Sequence, residues 1–165
     1  MLTRRTVCFA PPLALLLVMG AVSAAAQERQ TCFTLASLQG SYSVIGTYGA
    51  NIAIALAKRY VDGDGNLTGT FVVNEPTPGS TTGERTLVTG TQAGTVSVNC
   101  DGTGVVTRVL TVAGVQTNQF DDFVITEGEI RHGELIAKTI VDAQRTPSAI
   151  VSGGIFLRRT WTRVP

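Results

Sequence analysis

The stretch TGVVTRVLTV, Thr103 to Val112, shows the pattern that decides the fold. Side chains alternate between the two faces of an extended chain, so its three threonines share one face. The opposite face is formed by Val106, Arg108, Leu110 and Val112. We interpret the threonine row as facing solvent and the other face as turned towards an interior. The stretch LTGTFVV, Leu67 to Val73, alternates in the same way.

Runs rich in valine, isoleucine and threonine recur along the chain and are separated by glycine and Asx-Gly pairs, which is typical of strands and turns. Only CFTLASLQG suggests helix, as one short turn ended by Gly40. Residues 85–91 and 93–99 are predicted as one long strand bent at a glycine, or as two strands. The predicted strands are 41–48, 52–61, 66–74, 85–91, 93–99, 103–113, 118–126, 134–142 and 149–162.

The predicted connections are short, which favours antiparallel neighbours. The fold class is therefore all-β, an antiparallel up-and-down barrel of about eight strands, with a β-sandwich as the alternative. An immunoglobulin-type sandwich would place a tryptophan between two strand cysteines. Here Trp161 lies near the C-terminus and Cys32 precedes the first strand, so the barrel is preferred.

The first 26 residues have the features of a secretory signal peptide. Arg4 and Arg5 precede the apolar run LALLLVMGAV, and Ala24 to Ala26 provide small residues for cleavage. We expect residues 27–165 to form one barrel domain, secreted to the periplasm or beyond the cell. No apolar segment after residue 26 is long enough to span a membrane.

Composition and cysteine number narrow the functions further. Of the thirteen basic side chains, loss of Arg4 and Arg5 leaves eleven against twelve acidic ones, so no basic surface for nucleic acid is expected. Cys32 and Cys100 are predicted to form a disulfide that stabilises the fold by about 4 kcal/mol. Two buried free thiols are the alternative. With one histidine and no CxxC motif, neither a metal site nor a cofactor is expected.

The stretch DGDGNLTGT, Asp62 to Thr70, can be compared with the ligand pattern of a calcium-binding loop. Asp62, Asp64 and Asn66 fit the first three ligand positions of a helix–loop–helix site. Leu67 and Val73 stand where glycine and glutamate are required. The stretch is therefore predicted to be a hairpin turn.

No catalytic constellation emerges from the motifs. His132, in EGEIRHGEL, is either a general base oriented by a carboxylate or part of a solvated hairpin. We favour the hairpin, because nothing places a nucleophile beside it. Asp121 and Asp122 are adjacent in DDFVI, so they point to opposite strand faces and cannot converge on a substrate.

Arg108 is the most informative charge, because an arginine on an apolar strand face needs a partner. It is either a polar anchor in an apolar cavity or is paired with a carboxylate such as Asp122. Tyr42 is a further polar contact, so the candidate ligand-binding residues are Arg108, Tyr42 and Asp122. In FLRRTW, Arg158 and Arg159 face opposite ways, and one of them is expected to cover an aromatic ring.

The motifs SLQGSY, VDGDGNLTGT, TGTQAGTVSVNCDGTGVV and FDDFVI resemble those of uncharacterised small secreted bacterial proteins. That group is predicted to form a barrel similar to lipocalins and allene oxide cyclases. Leu38-x-Gly40-x-Tyr42 is also similar to the opening lipocalin signature, with tyrosine in place of tryptophan. The resemblance implies the barrel and supplies no catalytic residues.

The barrel suggests a secreted binding module that holds one small apolar or amphipathic ligand, because about eight strands leave room for one. A cyclase-like or isomerase-like enzyme using the same cavity is the first alternative. The second is a structural or interaction protein of the cell envelope. Its partner would dock on loop 74–84 or on an exposed strand edge.

Overall fold

A computed structural model describes residues 32–165 of the chain, and the predicted signal peptide lies outside these described residues. The described part folds into one short helix and eight strands. Helix α1 spans Leu35–Leu38. The strands are β1 Gly40–Tyr48, β2 Ala53–Val61, β3 Asn66–Pro76, β4 Arg85–Val98, β5 Thr103–Val112, β6 Val115–Arg131, β7 Glu134–Gln144 and β8 Leu157–Arg163.

The eight strands form a closed antiparallel barrel in which each strand pairs with the next along the chain. Strand β1 also pairs with β8, with Val44 opposite Trp161 and Tyr48 opposite Leu157. Closure leaves no unpaired edge strand. The predicted all-β up-and-down barrel is thus confirmed, and the sandwich does not form. Strand β4 is the long strand proposed for residues 85–99, and it contains both Gly90 and Gly94.

The last predicted strand, 149–162, is wrong in its first half. Residues 145–156 cross one end of the barrel, and β8 begins only at Leu157. The Ser148 hydroxyl accepts hydrogen bonds from the backbone N–H groups of Ile150 and Val151, both at 3.0 Å. Gly153 and Gly154 then turn the chain with φ values of +98° and +70°. The apolar run that suggested a strand instead covers this end, where Val151 is buried.

We call the end crossed by residues 145–156 the upper end and the opposite end, which carries α1, the lower end. The predicted disulfide between Cys32 and Cys100 is confirmed and lies at the lower end. It joins the segment before α1 to the turn between β4 and β5, and the Phe33 N–H donates to the Cys100 carbonyl at 3.1 Å. The helix itself ends at Leu38, two residues before Gly40.

Arg163, near the end of β8, fixes α1 against the barrel. Its guanidinium donates to the carbonyl oxygens of Ser37 at 2.9 Å, Gln39 at 2.5 Å and Ala137 at 2.6 Å. It also donates to the Tyr42 hydroxyl at 2.7 Å, and that hydroxyl donates to the Leu38 carbonyl at 2.9 Å. These hydrogen bonds therefore hold the helix against the lower end of the barrel.

The stretch from Asp62 to Thr70 forms the predicted turn. The Asp62 carboxylate accepts the backbone N–H groups of Asp64 at 3.0 Å and Asn66 at 2.8 Å. Gly65 adopts φ +83°, a conformation that glycine reaches without strain. The acidic side chain is thus used to shape the chain between β2 and β3.

The interior has two apolar layers. The lower layer contains three aromatic side chains, whereas the upper layer contains one, Tyr48, and two alanines. The lower layer contains Leu38, Tyr42, Val44, Val61, Leu67, Val96, Val106, Phe123, Ile125, Ala137, Ile140 and Trp161. The upper layer contains Tyr48, Ala53, Ala55, Val73, Val151 and Leu157.

Candidate functional site

Between the two apolar layers lies a layer of buried charges, which we call the charged layer. Within residues 32–165, the buried ionic side chains are three arginines and two aspartates, none more than 3% exposed. They are Arg59, Arg108, Arg159, Asp121 and Asp142. Three guanidinium groups against two carboxylates give this layer a formal charge of +1. Unpaired charge in a barrel interior is costly, so the layer needs explanation.

Ion pairs connect all five groups. Asp121 lies 2.7 Å from Arg108 Nε and 2.6 Å from Arg159 Nη2. Asp142 lies 2.7 Å from Arg159 Nε and 3.1 Å from Arg59 Nη1. Each carboxylate therefore bridges two arginines, and Arg159 belongs to both bridges.

The charged layer also contacts the top of the lower layer. The Trp161 indole N–H donates to Asp142 at 2.6 Å. The Arg59 guanidinium lies over the Trp161 ring, 4.1 Å from its centroid, in a cation–π contact. The sequence predicted that an arginine of FLRRTW would cover an aromatic ring. The ring is Trp161, but the arginine comes from β2, and Arg159 forms ion pairs instead.

A glycine stands opposite each buried arginine on the neighbouring strand. Arg59 pairs with Gly69, Arg108 with Gly94 and Arg159 with Gly46. A Cβ atom added at Gly46 would lie 2.5 Å from Arg159 Cγ, and one at Gly94 would lie 2.6 Å from Arg108 Cα. Since real Cβ atoms do not approach so closely, the missing side chains make the space that the arginines occupy.

Three buried glutamines complete the layer. The Gln92 carbonyl oxygen accepts hydrogen bonds from Arg59 Nε at 3.1 Å and Arg108 Nη1 at 3.4 Å. Gln144 donates to Gln119 at 2.5 Å and accepts the Leu157 backbone N–H at 2.9 Å. Gln92 Nε2 has no hydrogen-bond partner among the described residues, although it is buried. A buried donor without a partner costs about 1–3 kcal/mol. Arg159 Nη2 also lacks a hydrogen bond but has Asp121 as its ion-pair partner, so within the charged layer Gln92 Nε2 is the donor with neither.

The charges shift one another's pKa values. Burial lowers the pKa of Arg59, and the positive charges of Arg159 and Arg108 lower it further. Burial also lowers the pKa of Arg108. Burial acts in the same direction on Arg159, but Asp142 and Asp121 raise its pKa above the usual value. Burial opposes ionisation of Asp121, yet Arg159 and Arg108 hold its pKa below the usual value.

Above the charged layer lies a cavity with a volume of about 20 Å³. This is room for about one water molecule. The apolar walls are Val44, Tyr48, Ala55, Ala57, Phe71, Val73, Leu110, Ile150 and Leu157. The polar lining is Arg59, Gln92, Arg108, Gln144 and Arg159. The cavity thus has an apolar wall. Its lower side, formed by these polar residues of the charged layer, is cationic, and we call it the floor of the cavity.

Among the three predicted ligand-binding residues, only Arg108 lines this cavity. It faces inward as expected, but its carboxylate partner is Asp121. Asp122 is exposed on the outer face and pairs with Arg145 at 2.5 Å. Tyr42 is buried in the lower layer, where its hydroxyl group is hydrogen-bonded to Leu38 and Arg163. The binding roles proposed for Tyr42 and Asp122 stay predictions.

His132 lies in the two-residue turn between β6 and β7, at the lower end. It is exposed and has a φ of +52°. The structure thus places it apart from the cavity, as the hairpin interpretation expects. Its neighbour Glu129 instead pairs with Arg131 on the outer surface.

Nothing in residues 32–165 groups three or more histidine, cysteine or acidic side chains in a way that could hold a metal ion. None of the helices in this part of the chain is long and apolar enough to cross a membrane. No protein-family model, curated protein or solved structure matches the chain. The barrel implied by the resemblance to small secreted bacterial proteins is present, and membership of that group stays a prediction.

Proposed function

We propose that the protein is a secreted binding module that holds a small amphipathic molecule in the upper half of its barrel. The observation that supports this is the cavity between the charged layer and residues 145–156. Ligand sites are typically concave and apolar, with a few polar groups that fix orientation. Here the apolar groups form the wall and the polar groups converge at one end.

The size of the cavity sets a condition on binding. A ligand of several carbon atoms needs more room than one water occupies, so apolar side chains at the upper end must move aside. Ile150 and Leu157 line the cavity there. Ile150 belongs to the segment 145–156, which is not part of the sheet. We expect ligand entry to displace this segment and leave the barrel wall unchanged.

The test measures binding of three six-carbon probes: 1-hexanol, hexanoate and hexylamine. Trp161 is the one tryptophan in the sequence and touches the charged layer, so its fluorescence reports occupancy of the floor. Isothermal titration calorimetry provides a second, independent measurement. We expect at least one probe to bind with one-to-one stoichiometry. Absence of binding by all three in both measurements would contradict the proposal.

A matched pair of variants locates the site. Ala55 lines the cavity, whereas its neighbour Ile54 is exposed on the outer face. Ala55→Phe fills the cavity and is expected to abolish probe binding. Ile54→Phe adds an aromatic ring to the outside of the same strand and is expected to leave binding unchanged. Equal effects of the two substitutions would place the probe outside the barrel.

A further inference from the structure

The charged layer has two chemically different sides. Three guanidinium groups and two glutamines line the cavity, but neither Asp121 nor Asp142 does. Both carboxylates are consumed in bridges to arginines. The surface offered to a ligand therefore consists of hydrogen-bond donors and positive charge, and the layer as a whole lacks one negative charge.

Gln92 marks the place where a partner is missing. Its side chain is 3% exposed and lines the cavity. Its carbonyl oxygen is used by Arg59 and Arg108, while its amide Nε2 has no partner among the described residues. An acceptor placed in the cavity beside Nε2 would also lie among the guanidinium groups that line it.

We propose that this floor binds the anionic head group of the ligand, and that the head group is a carboxylate. The inference rests on the proposed function and adds the charge and orientation of the ligand. A carboxylate matches the planar donor geometry of guanidinium and accepts several hydrogen bonds at once. It supplies the missing negative charge and an acceptor for Gln92 Nε2. The apolar chain then extends towards Ile150 and the upper end.

The three probes of equal chain length separate this inference from the proposed function. Hydrogen bonds to charged groups are stronger than neutral ones, so hexanoate is expected to bind at least about tenfold more tightly than 1-hexanol. Hexylamine is expected not to bind, since it would place a second positive charge on a cationic floor. If 1-hexanol binds as tightly as hexanoate, the carboxylate inference fails while the proposed function stands. If no probe binds, both fail.

A nearly isosteric substitution tests the floor directly. Gln92→Glu replaces the unpartnered amide nitrogen with an oxygen and gives the charged layer the anion it lacks. Hexanoate affinity is expected to fall by about tenfold or more, because the added carboxylate occupies and neutralises the site. A cooperative urea unfolding transition, followed by Trp161 fluorescence, shows that the variant is folded.

The matched control is Gln116→Glu, which adds the same charge at an exposed position on β6. It is expected to leave the affinity for both probes unchanged. If Gln92→Glu and Gln116→Glu retain equal hexanoate affinity, the assignment of the head group to this floor is overturned. Should Gln92→Glu fail to fold, the comparison of hexanoate with 1-hexanol on the unmodified protein still decides the question.

Discussion

The lower and upper layers of the barrel are enclosed by the same eight strands but differ in how they are filled. The lower layer packs Tyr42 against Trp161, with ring centroids 5.8 Å apart in an edge-to-face contact. The upper layer includes Ala53 and Ala55, two small inward-facing side chains of β2. The small side chain of Ala55 lines the cavity above the charged layer. The comparison shows that side-chain packing differs between the two halves of a barrel whose strand number is the same throughout.

The two ends are also closed in different ways. At the lower end, α1 is joined to the barrel by the disulfide and by the hydrogen bonds of Arg163. At the upper end, residues 145–156 are joined to β6 through Arg145, whose N–H donates to the Phe120 carbonyl at 2.8 Å and whose side chain pairs with Asp122. The lower end is thus closed by a covalently linked helix, and the upper end by a segment without regular secondary structure.

The largest difference between the layers is expected in the free energy of unfolding when one large residue in each layer is truncated to alanine. Trp161→Ala is expected to lower the free energy of unfolding by about 4 kcal/mol or more, because it removes a large buried ring and a partner of Asp142. Leu157→Ala is expected to cost about 2 kcal/mol, since residues 145–156 can settle into the space. Urea unfolding of both variants measures the difference. Equal losses would show that the upper layer is packed as firmly as the lower one.

The barrel was predictable because strand alternation is a local property of the sequence. Alternation in TGVVTRVLTV correctly predicted that Arg108 faces the interior. The same alternation places Arg59 on one face with Ala55, Ala57 and Val61, so its inward position could also have been identified from the sequence. In DDFVI, the apolar Phe123 and Ile125 share a face with Asp121, so the inward aspartate could also have been identified.

Other features depend on register, which the sequence did not reveal. The pairing of each buried arginine with a glycine is visible only once neighbouring strands are aligned. The cavity has the same origin, because it reflects the sum of side-chain sizes around one level of the barrel. Residues 149–156 were mistaken for strand because Ala149, Ile150 and Val151 are apolar, and a buried cap and a buried strand have similar composition.

Each apolar layer contains a buried tyrosine, Tyr42 in the lower layer and Tyr48 in the upper one. Their ionisation at alkaline pH should lower the stability of the protein to different extents. Burial raises the pKa of Tyr42 to about 12, although the charge and hydrogen bond of Arg163 oppose this. The unfolded value is about 10, so the folded state favours the neutral phenol. This contribution is fully present below about pH 10 and is lost as pH rises through about 12, with roughly 2 kcal/mol gone at about pH 11.5.

The measurement compares urea unfolding at about pH 9 and about pH 11.5 for the unmodified protein, Tyr42→Phe and Tyr48→Phe. Tyr42→Phe cannot ionise and should lose most of the alkaline decrease. Burial also raises the pKa of Tyr48, but a hydrogen bond with Ser148 and the charges of Arg159 and Arg108 oppose the increase. Because these three groups limit the increase, Tyr48→Phe should remove a smaller part of the alkaline decrease. If the free energy of unfolding of Tyr42→Phe falls at alkaline pH as much as that of the unmodified protein, the burial of the Tyr42 phenol in the lower layer is contradicted.

The smallest effect is expected from adding two methyl groups to one alanine in each layer. Ala137 is fully buried in the lower layer, so Ala137→Val should overpack it and lower the free energy of unfolding by about 1–3 kcal/mol. Ala55 borders the cavity, so Ala55→Val should change stability by no more than about 0.5 kcal/mol, because the new methyl groups enter empty space. Ala55→Val should at the same time weaken hexanoate binding, which Ala137→Val should not. A destabilisation by Ala55→Val as large as that by Ala137→Val would mean that the upper layer has no room to yield to a ligand.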